Sequence, residues 1–175
     1  MSRRDAEFTE YVAPRRRKFR RTAYLMCGDW SQADDIVQLA LVKLYRAWRR
    51  IRSDQADAYV RRTISRTAID ESRRPNRRVS LPGDELLDLS PVPAAGDRVE
   101  DRSVLMAALR ELPLRQRQIV VLRHWCDCSV AEVAADLKIT PGTVKSQTAR
   151  ALERLNSLLL EQPDLGYRPV GPKGR

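Results

Sequence analysis

Residues 129–155 read SVAEVAADLKITPGTVKSQTARALERL, and this stretch decides the fold. It divides into two short helices around a tight turn. The first runs from Ser129 to Leu137. Ser129 is placed to cap it, and Val130, Val133, Ala134 and Leu137 fall on one apolar face. The second opens at Thr140-Pro141, a good N-cap followed by proline at the first helical position, where its missing N–H is not needed. Small Ala131, Ala134 and Ala135 would let a second helix cross closely. The pattern is that of a helix-turn-helix, whose second helix enters the DNA major groove. Thr143, Lys145, Ser146, Gln147 and Arg150 stand near the start of that helix and can touch phosphates or base edges. The plainer alternative is an ordinary helical hairpin in a small bundle. Two features weigh against it: the polar residues cluster where a recognition helix makes its contacts, and the chain is strongly basic.

Working outward, 175 residues suffice for one or two small domains. Glycine is sparse and no alternating strand pattern stands out, so the expected fold class is all-α. The formal charge is +10, from 33 Lys and Arg against 23 Asp and Glu. Such a balance suggests a polyanionic partner without choosing between DNA and RNA. Its distribution is more telling. Residues 1–78 hold 20 basic and 10 acidic side chains, whereas residues 79–102 hold 2 and 6. The excess lies in the N-terminal half, away from the helix-turn-helix, so that half needs its own explanation. Cys27, Cys126 and Cys128 form no CxxC pair and are expected to be reduced thiols, with no metal and no cofactor implied. No apolar run approaches a membrane span and the N-terminus does not read as a signal peptide, which points to the cell interior.

Helical spacing of Phe8, Tyr11, Val12, Phe19, Ala23 and Met26 predicts a first helix over about residues 5–26, stopped at Cys27-Gly28-Asp29 with Gly28 as C-cap. A second helix is expected from Ser31, with Val37, Leu41, Leu44 and Trp48 on one apolar face. After a loop at residues 51–56, a third helix over about residues 57–74 carries Arg61, Arg62, Arg66, Arg73 and Arg74 and ends at Pro75. Residues 76–102 are rich in proline and acids and read as a flexible linker. Helices resume at about Arg102, with Val104, Leu105, Ala108, Leu109 and Leu112 as a stripe, then Gln116 to Trp125, then the helix-turn-helix. The tail, 163–175, reads as disordered. The expected organisation is therefore two small helical domains, 1–75 and 103–162, joined by the acidic linker.

These elements together resemble the extracytoplasmic-function (ECF) group of bacterial RNA polymerase sigma factors, within the sigma-70 family. Ala33-Asp34-Asp35-Ile36-Val37-Gln38, followed by Leu41 to Trp48, is similar to the group's "DLVQxxFLRxW" helix. Residues 59–70, YVRRTISRTAID, followed by Arg73-Arg74, resemble "WLYRIARNLAID…RR". Leu109 to Pro113 and Gln116 to Leu122 resemble "LxxLPxxQRxVxxLR", and residues 142–146, GTVKS, resemble the start of its recognition helix. The wording VVLRHW and AYVRR resembles actinobacterial members of the SigE type. The resemblance covers about residues 5–160.

The resemblance implies a transcription initiation factor and not an enzyme. The first domain would be sigma region 2 and the second region 4. Asp35, Gln38, Leu39 and Val42 would face the clamp helices of the largest subunit of core RNA polymerase, and region 4 would meet the beta flap. Tyr59, Arg61, Arg62, Arg66, Arg73 and Arg74 would bind the −10 element as it melts, with the loop of residues 51–57 as a pocket for an extruded base. Tyr59 is equally well placed to be core. Thr143, Lys145, Ser146, Gln147 and Arg150 would bind the −35 element as duplex. The linker of about 28 residues reaches roughly 90 Å extended and about 30 Å as a coil, which brackets the roughly 60 Å between promoter elements about 17 base pairs apart. An anti-sigma factor is a further implied partner, and a stress, envelope or developmental regulon the implied setting, in the cytoplasm at the nucleoid. There are departures. Arg66 stands for a frequent asparagine, Tyr59 for a frequent tryptophan, Lys138 for the glycine of the turn, and Ala149 for an aromatic or basic residue. The target sequence is therefore not carried over from the family. The rival reading is a stand-alone helix-turn-helix regulator. A nucleic-acid enzyme is disfavoured because His124 is the one histidine and no carboxylates cluster for metal.

Overall fold

A computed structural model describes residues 2–72 and 99–160. Eight α-helices are described: α1 Arg3–Val12, α2 Arg16–Cys27, α3 Trp30–Ala47, α4 Ser53–Ser72, α5 Val99–Glu111, α6 Leu114–Val120, α7 Val130–Leu137 and α8 Pro141–Leu160. There is no strand among the described residues. The expected tail and residues 76–98 of the expected linker, with Arg73, Arg74 and Pro75, lie outside them, while residues 99–102 of that linker already belong to α5.

The single helix expected over residues 5–26 is two. Pro14 has no N–H to give and its ring crowds the preceding turn, so α1 ends at Val12 and α2 starts at Arg16. The arginine run and the apolar repeat on either side hid this break. Helix α2 ends on Gly28, whose φ of 77° is the left-handed geometry that glycine enters freely. Asp29 then caps α3, its side chain accepting from the Gln32 N–H at 2.7 Å. Helices α2, α3 and α4 pack around Met26, Ile36, Leu44, Val60 and Ile64, all fully buried. Helix α1 lies over this unit through Phe8 and Tyr11, whose rings meet Trp48 at 5.3 and 5.0 Å. Tyr11 donates its hydroxyl to Asp57, and burial, with that carboxylate, holds its pKa well above the ordinary value.

The second unit folds around Ile119, Leu122, Val133, Val144 and Ala151. Ser129 and Glu132 form a reciprocal capping box at the start of α7, and the Thr140 hydroxyl accepts from the Thr143 N–H at 3.1 Å at the start of α8. Between them, Lys138, which stands for the glycine of the turn, takes φ 54° and ψ 50°, the left-handed geometry that glycine enters freely. Of the three alanines expected at the helix crossing only Ala134 is buried; Ala131 and Ala135 face solvent. Helix α6 widens into a π-turn over Val121–Trp125, closed by the Cys126 N–H on the Val121 carbonyl at 3.0 Å. The wider turn rotates the following side chains. Trp125, the last residue of the expected helix, is consequently 43 % exposed. Leu105 is likewise exposed, and Met106 takes its place in the core.

The two units touch. Helix α2 packs on α6 and on the π-turn, and α4 packs on α7. Arg117 is buried and donates to the carbonyls of Met26, Arg110 and Leu112, so one guanidinium ties the second unit to the first. Gln118, fully buried, donates to the Ser65 carbonyl at 2.9 Å, and Arg110 to that of Gly28 at 2.5 Å.

Candidate nucleic-acid and polymerase surfaces

Helix α3 places Asp35, Gln38, Leu39 and Val42 on one face by their spacing of three, one and three residues. The same periodicity sends Ala33, Ile36, Val37, Ala40 and Leu44 inward. All four face residues are exposed, Leu39 and Val42 at 45 and 43 %. Two large apolar side chains on an exposed helix face are the kind of feature a partner covers. Asp34, one residue outside this face, is held instead by Arg20 through two bonds of 2.7 and 3.1 Å.

Helix α4 begins at Ser53, so the segment 51–57 expected as a loop is mostly the first turn of a helix. Residues 53–57 therefore cannot form the loop pocket proposed for an extruded base. Tyr59 is half-buried and packs against the core, with its backbone carbonyl accepting from Thr63. Arg61, Arg62 and Arg66 lie along one side of α4, and all three converge on one residue. Arg61 Nε donates to Asp136 Oδ2 at 2.9 Å, Arg62 Nε to Asp136 Oδ1 at 3.1 Å, and Arg66 Nε to the Asp136 backbone carbonyl at 3.4 Å. Arg61 also lies 3.6 Å from Glu132. Asp136 belongs to α7, 70 to 75 residues away in sequence, and is 1 % exposed.

Asp136 is the residue that reading the sequence missed. Its one signal was an acid beside Val133 and Leu137, on the side of α7 that turns inward.

Helix α8 presents a second basic surface. Lys145, Ser146 and Arg150 are exposed near its start, and the Thr143 hydroxyl is hydrogen-bonded to Thr140 at 2.8 Å. Gln147 is half-buried, its Oε1 accepting from Gln116 Nε2 at 3.1 Å. This contact also went unread. It ties α6 to the middle of the recognition turn and leaves the Gln147 amide nitrogen directed away from that bond.

Cys27, Cys126 and Cys128 are free thiols. Burial pushes Cys27 up to about 11 and Cys128 up to about 12, so both stay protonated near neutral pH. No group of three His, Cys, Asp or Glu side chains that could hold a metal ion occurs among the described residues. No described helix is long and apolar enough to cross a membrane.

Residues 12–78 match the family described as Sigma-70 region 2, and residues 102–155 match Sigma-70, region 4. The RNA polymerase sigma-E factor of Streptomyces coelicolor is 39% identical over 165 residues, which cover 94% of this chain and 92% of that one. The chain belongs to the sigma-70 family, in its extracytoplasmic-function group. The ECF RNA polymerase sigma factor SigM of Mycobacterium tuberculosis is 32% identical over 153 residues, 87% of this chain and 76% of that protein. Among solved structures, the sigma factor RpoE of Bartonella quintana, crystallised with the anti-sigma factor NepR, superposes with a TM-score of 0.69 at 21% identity. The match covers 89% of this chain and 98% of that one. This sigma factor binds core RNA polymerase and promoter DNA and directs transcription initiation. The α1–α4 unit carries region 2, and the α5–α8 unit carries region 4.

Proposed function

We propose that the two units divide promoter recognition residue by residue. Lys145, Ser146, Gln147 and Arg150, with Thr143 at the helix start, hold the −35 duplex in the major groove. Arg61, Arg62 and Arg66, continued by Arg73 and Arg74, hold the backbone of the −10 strand as it separates, and Tyr59 lies beneath an unpaired base. Asp35, Gln38, Leu39 and Val42 seat region 2 on the clamp helices of the largest polymerase subunit, while region 4 sits at the beta flap. The sigma factor itself catalyses nothing; it positions and opens DNA for an enzyme it binds. Its place of action is the cytoplasm, at the nucleoid. The Bartonella relative was crystallised with an anti-sigma factor, and a protein of that kind is a natural partner here too. A regulon answering stress, envelope damage or development fits the group.

The exposure of Leu39 and Val42 beside Asp35 and Gln38 carries this reading. A stand-alone DNA-binding regulator has no need of such a face. Run-off transcription with core polymerase on a library of promoters tests it. Activity should require the sigma factor, and Leu39→Glu with Val42→Glu should lower polymerase binding about 100-fold, in the range of interface hot spots. Because both positions are exposed, thermal unfolding should barely move. Sequence-specific duplex binding by the free protein, unchanged on adding polymerase, would overturn the assignment in favour of the stand-alone regulator.

A further inference from the structure

We propose that Gln116 of α6 sets the polarity of Gln147 on the recognition helix, and so decides which base edge that residue reads in the −35 duplex. The inference rests on the assignment of α8 as the −35 surface and deepens it. Gln116 Nε2 donates to Gln147 Oε1 at 3.1 Å, across 31 positions of sequence. Glutamine carries an acceptor at one end of its amide and two N–H donors at the other. With the oxygen end turned to α6, the nitrogen end is the one left for DNA. Turning the Gln147 amide over would set its NH2 against the NH2 of Gln116, donor to donor. The contact therefore fixes a direction as well as a place.

The placement suits that role. Thr143, Gln147 and Arg150 follow at spacings of four and three residues, so they line one side of α8. Val144 and Ala151 of the same helix are fully buried in the core. Gln147 is half-buried at the margin between the two faces, where its amide can meet α6 at one end and the groove at the other. Gln116 stands on a firm base. Its neighbours Arg117 and Gln118 are buried, and α6 packs along α8. Arg117 donates to the carbonyls of Arg110 and Leu112 at 2.9 and 3.3 Å, which fixes the start of α6 against the end of α5. A side chain held this way loses little further freedom when DNA arrives.

The bases differ in the major groove in this same respect. Guanine offers acceptors at N7 and O6, whereas cytosine offers a donor, its N4 amino group. A glutamine free to turn takes adenine with both ends of its amide, accepting from N6 and donating to N7. Gln147 held by Gln116 is a directed donor instead. It favours guanine at the base it faces and disfavours cytosine, whose amino group would meet Nε2 donor to donor. Lys145 and Arg150 beside it are donors with no acceptor of their own. Gln147 adds a donor to that surface without adding charge, and its preference is set from beneath, by a residue on another helix.

The test uses the full-length protein with core polymerase and a promoter library randomised across the −35 element, with transcripts counted by sequencing. Wild type should favour guanine over cytosine at one −35 position by about fivefold, the value of one hydrogen bond to a base edge. Gln147→Ala should level that position alone. Gln116→Glu can only accept, so it should turn the Gln147 amide over, present Oε1 to the groove and reverse the preference to cytosine by a similar factor. Gln116→Lys can only donate and should keep guanine. A residue that merely packed between α6 and α8 would lower transcription from all promoters alike and reverse no base. Gln147→Glu, an acceptor at both ends, should give the same reversal from the other side and serves if Gln116→Glu folds poorly. Circular dichroism establishes that each variant keeps its helices. If Gln147→Ala levels one position while Gln116→Glu and Gln116→Lys both share the wild-type profile, Gln116 does not set the polarity, and α8 still reads the −35 element. A wild-type preference for cytosine at that position would also overturn the proposal. If Arg150→Ala alters the profile and Gln147→Ala does not, Gln147 is no base contact and the proposal fails alone. If neither alters any −35 position, the assignment of α8 itself is wrong and the proposal falls with it.

Discussion

Helices α4 and α8 carry the two basic surfaces proposed to meet promoter DNA, and they meet solvent in opposite ways. On α8, Lys145, Ser146 and Arg150 are exposed, held up by a cap at Thr140 and a side-chain contact at Gln147. On α4, Arg61 and Arg62 are already committed to an acid of the other unit, with the Arg61 side chain only 17 % exposed. The difference teaches that a basic helix is not by itself an available one. Charge is read from composition, but whether it is free to meet DNA depends on what the rest of the chain sets against it.

The strongest way to break this comparison is to ask each helix for DNA in two states. In the holoenzyme, Arg150→Ala and Arg62→Ala should each lower promoter binding, by about 10- to 100-fold for a lost base contact and less for a lost phosphate contact. In the free protein only Arg150→Ala should matter, weakening duplex binding, because Arg62 is engaged by Asp136 there. Electrophoretic mobility shifts at fixed salt, with and without core polymerase, measure both. Equal losses for the two variants in the free protein would mean the α4 surface is as open as α8.

The same contrast explains what was legible in the sequence. Local signals were readable because their physics is local. Gly28 ends α2 in left-handed geometry, and Ser129 and Thr140 cap α7 and α8, all from spacing and residue type, whereas the exposed face of Asp35, Gln38, Leu39 and Val42 was implied by the family resemblance. The break at Pro14 was also local. A continuous apolar repeat runs across it and masks a residue that cannot continue a helix. Trp125 stands exposed because a π-turn shifts the helical phase, and a period of 3.6 does not register one extra residue. The pairing of Arg61 and Arg62 with Asp136 was beyond reach for a different reason. It joins residues 74 and 75 positions apart across an acidic segment that gives no hint of where the second unit docks.

A smaller effect sharpens the view of α8 as a surface held up from beneath. Ser129→Ala removes the side-chain half of the capping box of α7, the helix against which α8 turns, and should destabilise region 4 by about 1 kcal/mol. Chemical denaturation followed by circular dichroism reads this. The pH dependence follows from Glu132. Hydrogen bonds from the Ser129 N–H and hydroxyl hold its carboxyl below the ordinary carboxylate range. A carboxyl lowered on folding stabilises fully above its unfolded pKa, and that contribution is lost as pH falls through the lowered value. Ser129→Ala should accordingly flatten the acid limb of the stability curve only in part, because the backbone N–H of residue 129, the larger cause, still donates to Glu132, while leaving the neutral plateau lower.

The smallest effect lies in the turn itself. Lys138 sits at φ 54° with a β-carbon, a geometry that costs a non-glycine residue about 1–2 kcal/mol. Glycine would remove that strain but would give back about 0.5–1 kcal/mol as extra freedom of the unfolded chain. Lys138→Gly should therefore stabilise region 4 by about 0.5–1 kcal/mol, a rise of a few degrees in its thermal midpoint. No bond is made by the Lys138 side chain within the described contacts; only its backbone N–H is used, on Ala134. If stability falls on substitution, the lysine side chain contributes to the turn through contacts of its own. If stability rises while duplex binding by α8 weakens, Lys138 is a phosphate contact at the edge of the recognition helix, and the strain in the turn persists because the charge there is useful to DNA binding.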